Sequence, residues 1–569
     1  MARIFNQHKI RECIQLPEVW NFSAKGKKIS RMPVPCCIET NPELINYKGE
    51  VKYETEFTGS GNIRLAFSGV SHTAFVSLNG EALGSHYGAY GEFDFICTNL
   101  EEKSHKLSLT VNNAFGKEAS INFPNDYYTY GGITRPVVIQ KLKDVYIKQV
   151  HFTPFLENGT WKSKTEVLVE NISEQEQEIK IALSLCEVAD STNVDQMAIK
   201  QGDSEKKIVL QGGEKREICF VHDYEQVKEY SHEHPALYYL TTLLFVGSGN
   251  DEEKNMVCID DYIDRVGFKH MEIKGSDILM NGEKLIIKGF NRHEDYGDFG
   301  CAIPLSAMYR DLQLVINSGA NCVRTSHYPN DERFLDLCDE NGILVWEEGH
   351  ARGMSEELMS NPLFIDQEKL TLREMMEQHY NHPSIFVWGL LNECCDFTEL
   401  GKDCYTKLVA YMRTMDQSRP ISYAACHYGK AASFDLVDIV SLNMYPGWYT
   451  DSSTAEFLEE GTKWAEENGG LGKPILISEI GAGAVYGYRD ARHAKWTEER
   501  QEELLTEQLQ TIFEKERYSG AIIWQFADCR VDEEWFANRP KSENNKGIVD
   551  KYRREKLAYS KVSEIFHSV

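Results

Sequence analysis

The sequence lacks several features that would assign it to familiar classes of protein. It has no run of eighteen apolar residues, which a helix needs in order to span a bilayer. Its first residues, MARIFNQHKIRECIQ, lack the apolar core of a secretory signal peptide. No CxxC pair or other Cys/His ligand spacing occurs among the 15 cysteines, so we expect no structural zinc site. These absences predict a cytoplasmic chain with reduced thiols.

Positive charge is also scarce. The 61 Lys and Arg residues are outnumbered by 88 Asp and Glu, which gives a formal net charge of −27. A surface of that sign repels phosphate backbones, and no basic patch interrupts it, so a nucleic-acid partner is not expected. The G-x-S-x-G motif of one large class of serine hydrolases is missing, and so is a Gly-rich phosphate turn.

The amino-terminal half of the 569 residues has the pattern of β structure. Apolar residues alternate with polar or small ones in the first 140 residues, and Asn79-Gly80 is a strong hairpin signal because both positions tolerate positive φ. From residue 141 to 266, short apolar runs are separated by polar connections rich in Glu, Lys and Gln, as in a small sandwich. We therefore predict two β domains, 1–140 and 141–266.

The pattern changes after Gly267, where short apolar runs begin to alternate with amphipathic segments. Such fully apolar strands are typical of a parallel sheet buried on both faces. Eight of them span a length close to the roughly 250 residues of a (β/α)8 barrel, which we predict for 267–569; an open doubly wound sheet is the alternative. The runs are Leu285–Gly289, Asn321–Arg324, Ile343–Trp346, Ile385–Leu391, Ile421–Ala424, Ile439–Leu442, Pro474–Ile477 and Ala521–Trp524.

Seven of these eight runs end in ionisable, amide or aromatic side chains. Chemistry on a (β/α)8 barrel takes place at the carboxyl ends of the strands, so this distribution predicts a polar cleft with aromatic walls. The strand ends carry Asn291–Asp295, Arg324–Tyr328, Glu347–His350, Asn392-Glu393, Asn443–Tyr445, Glu479 and Trp524–Asp528.

Two carboxylates, Glu393 after the fourth run and Glu479 after the seventh, would face one another across the mouth of such a barrel. A pair about 5–5.5 Å apart suits retaining glycoside hydrolysis, in which one carboxylate attacks the anomeric carbon and the other protonates the leaving oxygen. A metal site built from His293-Glu294-Asp295 and Glu347-Glu348 is the rival use of acidic groups here, but their spacing matches no recognised ligand motif.

At these motifs the sequence resembles glycoside hydrolase family 2 and, within it, the β-glucuronidases. The resemblance implies a jelly-roll sandwich, an immunoglobulin-like sandwich and a TIM barrel, with Glu393 as acid/base and Glu479 as nucleophile. It implies no metal and no organic cofactor, and it leads us to expect a homo-oligomer. The matching stretches are Gly289–Asp295, Asn321–Pro329, His382–Ser384, Trp388, Asn392-Glu393, Asn443–Tyr449, Ser478–Ala482 and Trp524–Asp528.

A uronic acid substrate follows from a further part of the resemblance. Asn544-Asn545-Lys546 looks like the Asn-x-Lys signature with which β-glucuronidases hold the sugar carboxylate. An anionic sugar entering so acidic a protein needs a local cation, and Lys with Asn supplies a charge-assisted clamp. The resemblance also implies that Asp126 accepts hydrogen bonds from sugar hydroxyls, and that the remaining ring contacts and aromatic walls come from His293, Asn392, Tyr445, Tyr449 and Trp524.

Some positions depart from the family pattern. Cys394 follows the Asn-Glu pair where proline is usual, and Ile480 replaces an aromatic residue after the nucleophile. An arginine expected shortly before the Asn-x-Lys signature aligns only imprecisely with Arg539. The stretch from His350 to Glu368 is short for a loop that covers the aglycone in some gut bacterial relatives, which suggests an open cleft.

The sequence thus predicts a retaining β-glucuronidase whose substrate is a glucuronide or a saccharide containing uronic acid. β-Galacturonidase and β-galactosidase are the enzymatic alternatives on the same scaffold. A non-catalytic carbohydrate-binding protein is the alternative from another class. Two opposed glutamates argue against a binding protein, because binding alone does not require them.

Overall fold

The structure is a computed structural model that describes residues 2–188, 204–247 and 256–569. Two stretches of the predicted second domain, 189–203 and 248–255, therefore lie outside the described residues. Within the described part of the chain, no helix combines the length and apolar character needed to cross a membrane.

The first β domain is a sandwich whose strands alternate between buried and exposed residues, as in Val19–Ala24. Asn79 and Gly80 have φ of 55° and 88° and form the tight turn of the predicted hairpin. A two-strand pair, Val70–Ser71 with Gly132–Ile133, lies beside the main sheet. The strands of that sheet are Cys13–Ile14, Val19–Ala24, Arg31–Pro33, Glu50–Phe67, Thr73–Leu78, Glu81–Tyr87, Phe93–Asn112 and Val137–Leu142.

The second domain packs two antiparallel sheets around a core that includes Trp161, Phe220 and Phe268. One sheet contains Val145–Glu157, Thr160–Asn171 and Lys215–Tyr224. The other contains Glu205–Leu210, Gln177–Glu187, Tyr238–Gly247 and Met256–Val266. A small sheet of Met271–Lys274, Asp277–Met280 and Glu283–Lys284 then leads into the third domain.

The third domain is a closed parallel barrel, which confirms the predicted fold class. Its fourth strand, Ile385–Asn392, is buried along its whole length, as a strand covered on both faces must be. The first strand pairs with the eighth and closes the barrel. The strands are Ile287–Asn291, Cys322–Thr325, Leu344–Glu348, Ile385–Asn392, Ile421–Ala425, Ile439–Asn443, Ile475–Ile480 and Tyr518–Ile523.

Helices connect the barrel strands, and local sequence signals set their ends. In Glu332–Asn341, for example, the side chain of Asp331 accepts a hydrogen bond from the Arg333 amide at the start. Gly342, with φ of 68°, ends this helix in the left-handed region that glycine favours. The α-helices are Leu305–Asn317, Glu332–Asn341, Glu356–Met359, Phe364–Gln378, Glu399–Met415, Thr454–Ala465, Glu498–Phe513 and Leu557–Ser568.

The jelly-roll domain docks on the carboxyl end of the first barrel strand. Arg135 donates to Glu294 at 2.7 Å, and the Tyr130 hydroxyl donates to Asp295 at 3.1 Å. These contacts bring the loop between Asn112 and Gly132 to the mouth of the barrel. Glu294 and Asp295 therefore hold two domains together, which argues against their use as metal ligands.

Candidate active site

Glu479 lies at the end of the seventh barrel strand and is buried, with 5% of its side chain exposed. Arg324 donates to its Oε1 at 3.1 Å, and the Tyr445 hydroxyl donates to its Oε2 at 2.5 Å. Burial and the neighbouring charge of Glu393 raise the pKa of Glu479 to about 7, although Arg324 and Tyr445 act in the opposite direction. Asn443, which donates to Glu393, is the strand partner of Glu479, so the two glutamates lie at neighbouring positions of the barrel mouth.

Glu393 follows the fourth strand and is more open to the cleft, with 18% of its side chain exposed. Its Oε1 accepts a hydrogen bond from Asn443 at 2.9 Å, and its Oε2 lies 3.4 Å from a guanidinium nitrogen of Arg352. Its φ of 52° is in the left-handed region, which is unusual for a residue with a side chain. Strained backbone of this kind is enriched at active sites.

Buried polar side chains beneath the two glutamates form a continuous network. Arg324 makes two hydrogen bonds to Glu348, at 2.8 and 2.9 Å, and a third to Asn392 at 2.8 Å. Asn443 donates to Asn392 at 3.0 Å as well as to Glu393. Arg324 and Asn443 therefore orient the two carboxylates from below, and their fixed geometry is the kind that preorganised sites require.

A buried ammonium group, that of Lys546, lies over the ring of Tyr445. Lys546 is 3% exposed, and its Nζ donates to the Tyr449 hydroxyl at 2.6 Å. The same Nζ lies 4.5 Å from the ring centroid of Tyr445, whose hydroxyl reaches Glu479. Within the described residues, no carboxylate oxygen lies within 4.0 Å of this nitrogen. A buried cation without a bound anion is suited to an anionic ligand.

Asp126 reaches the cleft from the jelly-roll loop. One of its oxygens accepts from Arg539 at 2.9 Å and from Asn544 at 3.3 Å, and the other lies 3.2 Å from Arg352. Burial alone would raise the pKa of Asp126, but the guanidinium groups of Arg352 and Arg539 outweigh it and hold this pKa well below its usual range. Asp126 thus stays ionised and positions cations at the mouth of the barrel.

Aromatic rings enclose the cleft near the first and eighth strands. His293 stacks on Tyr127 at a centroid distance of 4.9 Å and meets Trp524 edge to face at 5.3 Å. Burial lowers the pKa of His293 well below its usual value, so its ring is neutral. Its Nδ1 contacts the Tyr328 hydroxyl at 3.2 Å, while its Nε2 has no partner among the described residues and can bond a sugar hydroxyl.

The structure brings all eleven predicted site residues to the carboxyl end of the barrel or to the loops above it. Three neighbouring residues were not among them. Arg324 and Asn443 lie at the carboxyl ends of barrel strands and were among the residues that predicted a polar cleft, but no individual role was predicted for them. Arg352 gave no such signal, because it lies in the connection after the third strand.

The described residues include two clusters of potential metal ligands outside the cleft. In each cluster an arginine pairs with one of the carboxylates: Arg11 with Asp260 at 2.6 Å, and Arg3 with Asp336 at 2.7 Å. The clusters are His8 with Asp260 and Asp261, and Asp336 with Asp339 and His382. Of the two glutamates at the end of the third barrel strand, Glu348 is bound to Arg324, and Glu347 lies 2.9 Å from a ring nitrogen of His379. These contacts already engage the acidic groups and give no support to the metal alternative.

Comparison with known proteins agrees with this architecture. Residues 271–568 match the model for the TIM barrel domain of glycosyl hydrolases family 2. The solved structure of a β-galacturonidase from Eisenbergiella tayi, bound to galacturonate, is 44% identical, with a TM-score of 0.93 and coverage of 100% of this chain and 99% of that one.

Curated relatives include two β-glucuronidases of lower identity. The protein from Paenibacillus borealis is 26% identical, with 96% of each chain covered. The protein from Canis lupus familiaris is 25% identical, with 93% of this chain and 83% of its own length covered. The matched barrel and these relatives establish that the chain is a glycoside hydrolase and belongs to glycosyl hydrolase family 2.

Proposed function

We propose that this enzyme hydrolyses β-D-hexuronides with retention of anomeric configuration. The observation that carries the proposal is the buried ammonium of Lys546, which is separated from Glu479 by one tyrosine ring. A pyranose with C1 at Glu479 and its C6 carboxylate at Lys546 would lie along Tyr445. A carboxylate there would complete a charge-assisted hydrogen bond, whereas a neutral sugar would leave the buried cation unpaired.

In the proposed reaction, an oxygen of Glu479 attacks C1 while Glu393 donates a proton to the glycosidic oxygen, and the leaving group departs. Water then attacks C1, Glu393 accepts its proton, and the bond to Glu479 breaks to release the uronic acid. Glu479 accepts hydrogen bonds from a guanidinium at 3.1 Å and from a phenol at 2.5 Å. These donors are stronger than those of Glu393, which accepts from an amide at 2.9 Å and from a guanidinium at 3.4 Å. The donors to Glu479 favour the negative charge that it needs as the nucleophile, against the opposing effects of burial and of Glu393.

We rank a β-galacturonide first among the substrates, because the Eisenbergiella tayi β-galacturonidase shares far more of this sequence than the β-glucuronidases do. A β-glucuronide, the substrate class predicted from the sequence, is the second candidate because of the curated relatives. The two sugars differ only in configuration at C4. The clamp for the carboxylate at C6 is therefore common to both.

The test compares kcat/KM for the 4-nitrophenyl β-D-galacturonide, β-D-glucuronide and β-D-galactoside. We expect the galacturonide to be cleaved fastest, and the galactoside at least about 100-fold more slowly because it leaves Lys546 without an anion. Faster cleavage of the glucuronide would reverse the ranking of the two uronides. A galactoside cleaved as well as either uronide would contradict the proposal, and a binding protein would cleave none of the three.

A further inference from the structure

A segment after the eighth barrel strand crosses the mouth of the barrel. It leaves the strand Cys529–Arg530, forms the short 3-10 helix Glu533–Asn538 and returns in the strand Glu543–Asn544. Asp532 and Asn125 exchange two hydrogen bonds, at 3.0 and 3.2 Å, and fix the start of the segment to the jelly-roll loop. The Arg539 contact with Asp126 fixes its far end.

Trp535 is the large aromatic side chain that this segment holds beside the acid/base candidate. Its half-buried indole has its ring centroid 6.0 Å from the guanidinium carbon of Arg352 and 5.6 Å from that of Arg539. Arg352 is the residue whose nitrogen lies 3.4 Å from Glu393. A single arginine side chain thus separates the indole from the carboxylate proposed to protonate the leaving group.

The contacts that Trp535 makes within the protein do not account for a large aromatic side chain at this position. Both guanidinium groups lie near the outer limit of about 6 Å for cation–π attraction, and both already have Asp126 as a counterion. Among the described residues, Trp535 makes no ring-to-ring contact, in contrast to Trp448 and Trp524. The indole is only half-buried, so part of its surface is free to contact a ligand.

We propose that Trp535 forms the stacking surface of the leaving-group subsite and selects substrates whose leaving group is a ring. This inference rests on the proposed function, because it takes Glu393 as the group that protonates the glycosidic oxygen. The leaving group is attached to that oxygen and departs on the side of Glu393 and Arg352. A sugar or aryl ring there can lay its flat apolar face on the indole, while the uronate ring is held by Lys546.

The experiment measures kcat/KM of Trp535→Ala and Trp535→Phe on three β-D-galacturonides: 4-nitrophenyl, a disaccharide with a pyranose leaving group, and methyl. The corresponding glucuronides are used instead if the wild type prefers them. We expect Trp535→Ala to lose about 10-fold on both ring-bearing substrates, equivalent to about 1.4 kcal/mol, and only about 2-fold on the methyl uronide. Trp535→Phe should recover most of the loss. The ring-bearing substrate that loses more kcat/KM in Trp535→Ala identifies whether the indole fits a sugar or an aryl leaving group better.

The matched control is Phe536→Ala, since Phe536 is the adjacent residue and is 38% exposed. It should behave like the wild type on all three substrates. Free galacturonate occupies only the uronate position, so its inhibition constant should change little in Trp535→Ala. That result would show that the remainder of the site is intact.

Two results would overturn the inference. Unchanged kcat/KM on the ring-bearing substrates would remove Trp535 from the leaving-group subsite. Equal losses on all three substrates, with weaker inhibition by galacturonate, would show that the indole only supports the ion pairs beneath it. Both outcomes leave the proposed function intact. A wild-type enzyme that cleaves no uronide would instead overturn the proposed function and this inference together.

Discussion

Replacing Glu479 with glutamine should lower kcat on any uronide by at least about 10⁴-fold, the scale seen when a single catalytic group is removed. An amide oxygen is a poor nucleophile toward C1, so the covalent intermediate would not form. Glutamine nearly matches glutamate in shape and can still accept from Arg324, which donates to Glu479 at 3.1 Å. The thermal midpoint of unfolding and the affinity for free galacturonate should therefore change little. Activity within a few-fold of the wild type would exclude Glu479 as the nucleophile.

Chemical rescue separates the role of Glu479 from that of Glu393. With sodium azide, Glu479→Ala should convert an activated β-uronide into the α-uronosyl azide, because azide enters from the face that the carboxylate has vacated. Glu393→Ala should give the β-uronosyl azide, because the covalent intermediate still forms and azide replaces water in the second step. NMR of the products distinguishes the two anomers. The opposite pairing of anomers would exchange the two assignments.

Replacing Lys546 with methionine should lower kcat/KM on a β-uronide by about 100- to 1,000-fold, corresponding to about 3–4 kcal/mol. Methionine retains much of the length of the buried stem but removes the ammonium, which is 3% exposed and donates to Tyr449. The uronate would then be desolvated without its cation. Hydrolysis of a neutral β-galactoside should change by less than about 3-fold, so the ratio of the two rates is the decisive quantity.

Two variants control for the lysine prediction. Lys546→Arg keeps the charge and should retain more uronide activity than Lys546→Met, although the wider guanidinium fits less well. Lys495→Met removes an exposed lysine that lies 5.9 Å from the ring centroid of Tyr449, and it should leave both substrates nearly unaffected. Parallel losses on the uronide and the galactoside in Lys546→Met would mean that the lysine supports the loop and does not select the substrate.

Much of this architecture was predictable because the strands of a parallel barrel produce a regular pattern in the sequence. Its strands are short apolar runs, and their carboxyl ends meet at one edge, so Glu393 and Glu479 could be placed together although 85 residues lie between them. The Asn79-Gly80 hairpin was predictable for an equally local reason, because its turn requires positive φ. Both predictions depend on backbone rules that act over a few residues.

The ion pairs around Asp126 were not predictable in this way. Asp126, Arg352 and Arg539 come from three different parts of the chain, and they meet only because the jelly-roll loop docks on the barrel. No periodic pattern or motif marks Arg352. The pairing of Arg324 with Glu348 is a similar case. Both residues lie at the carboxyl ends of buried strands, but the sequence does not indicate that the guanidinium also reaches Glu479.

The most direct test of the account is to trap the covalent intermediate on Glu479. A 2-deoxy-2-fluoro-β-D-uronosyl fluoride of the preferred sugar should react once per active site, because fluorine at C2 slows both chemical steps and fluoride is a good leaving group in the first. Mass spectrometry of the digested protein should find the added uronosyl group on Glu479. A label on another residue, or turnover to the α-uronic acid without a covalent intermediate, would contradict the account.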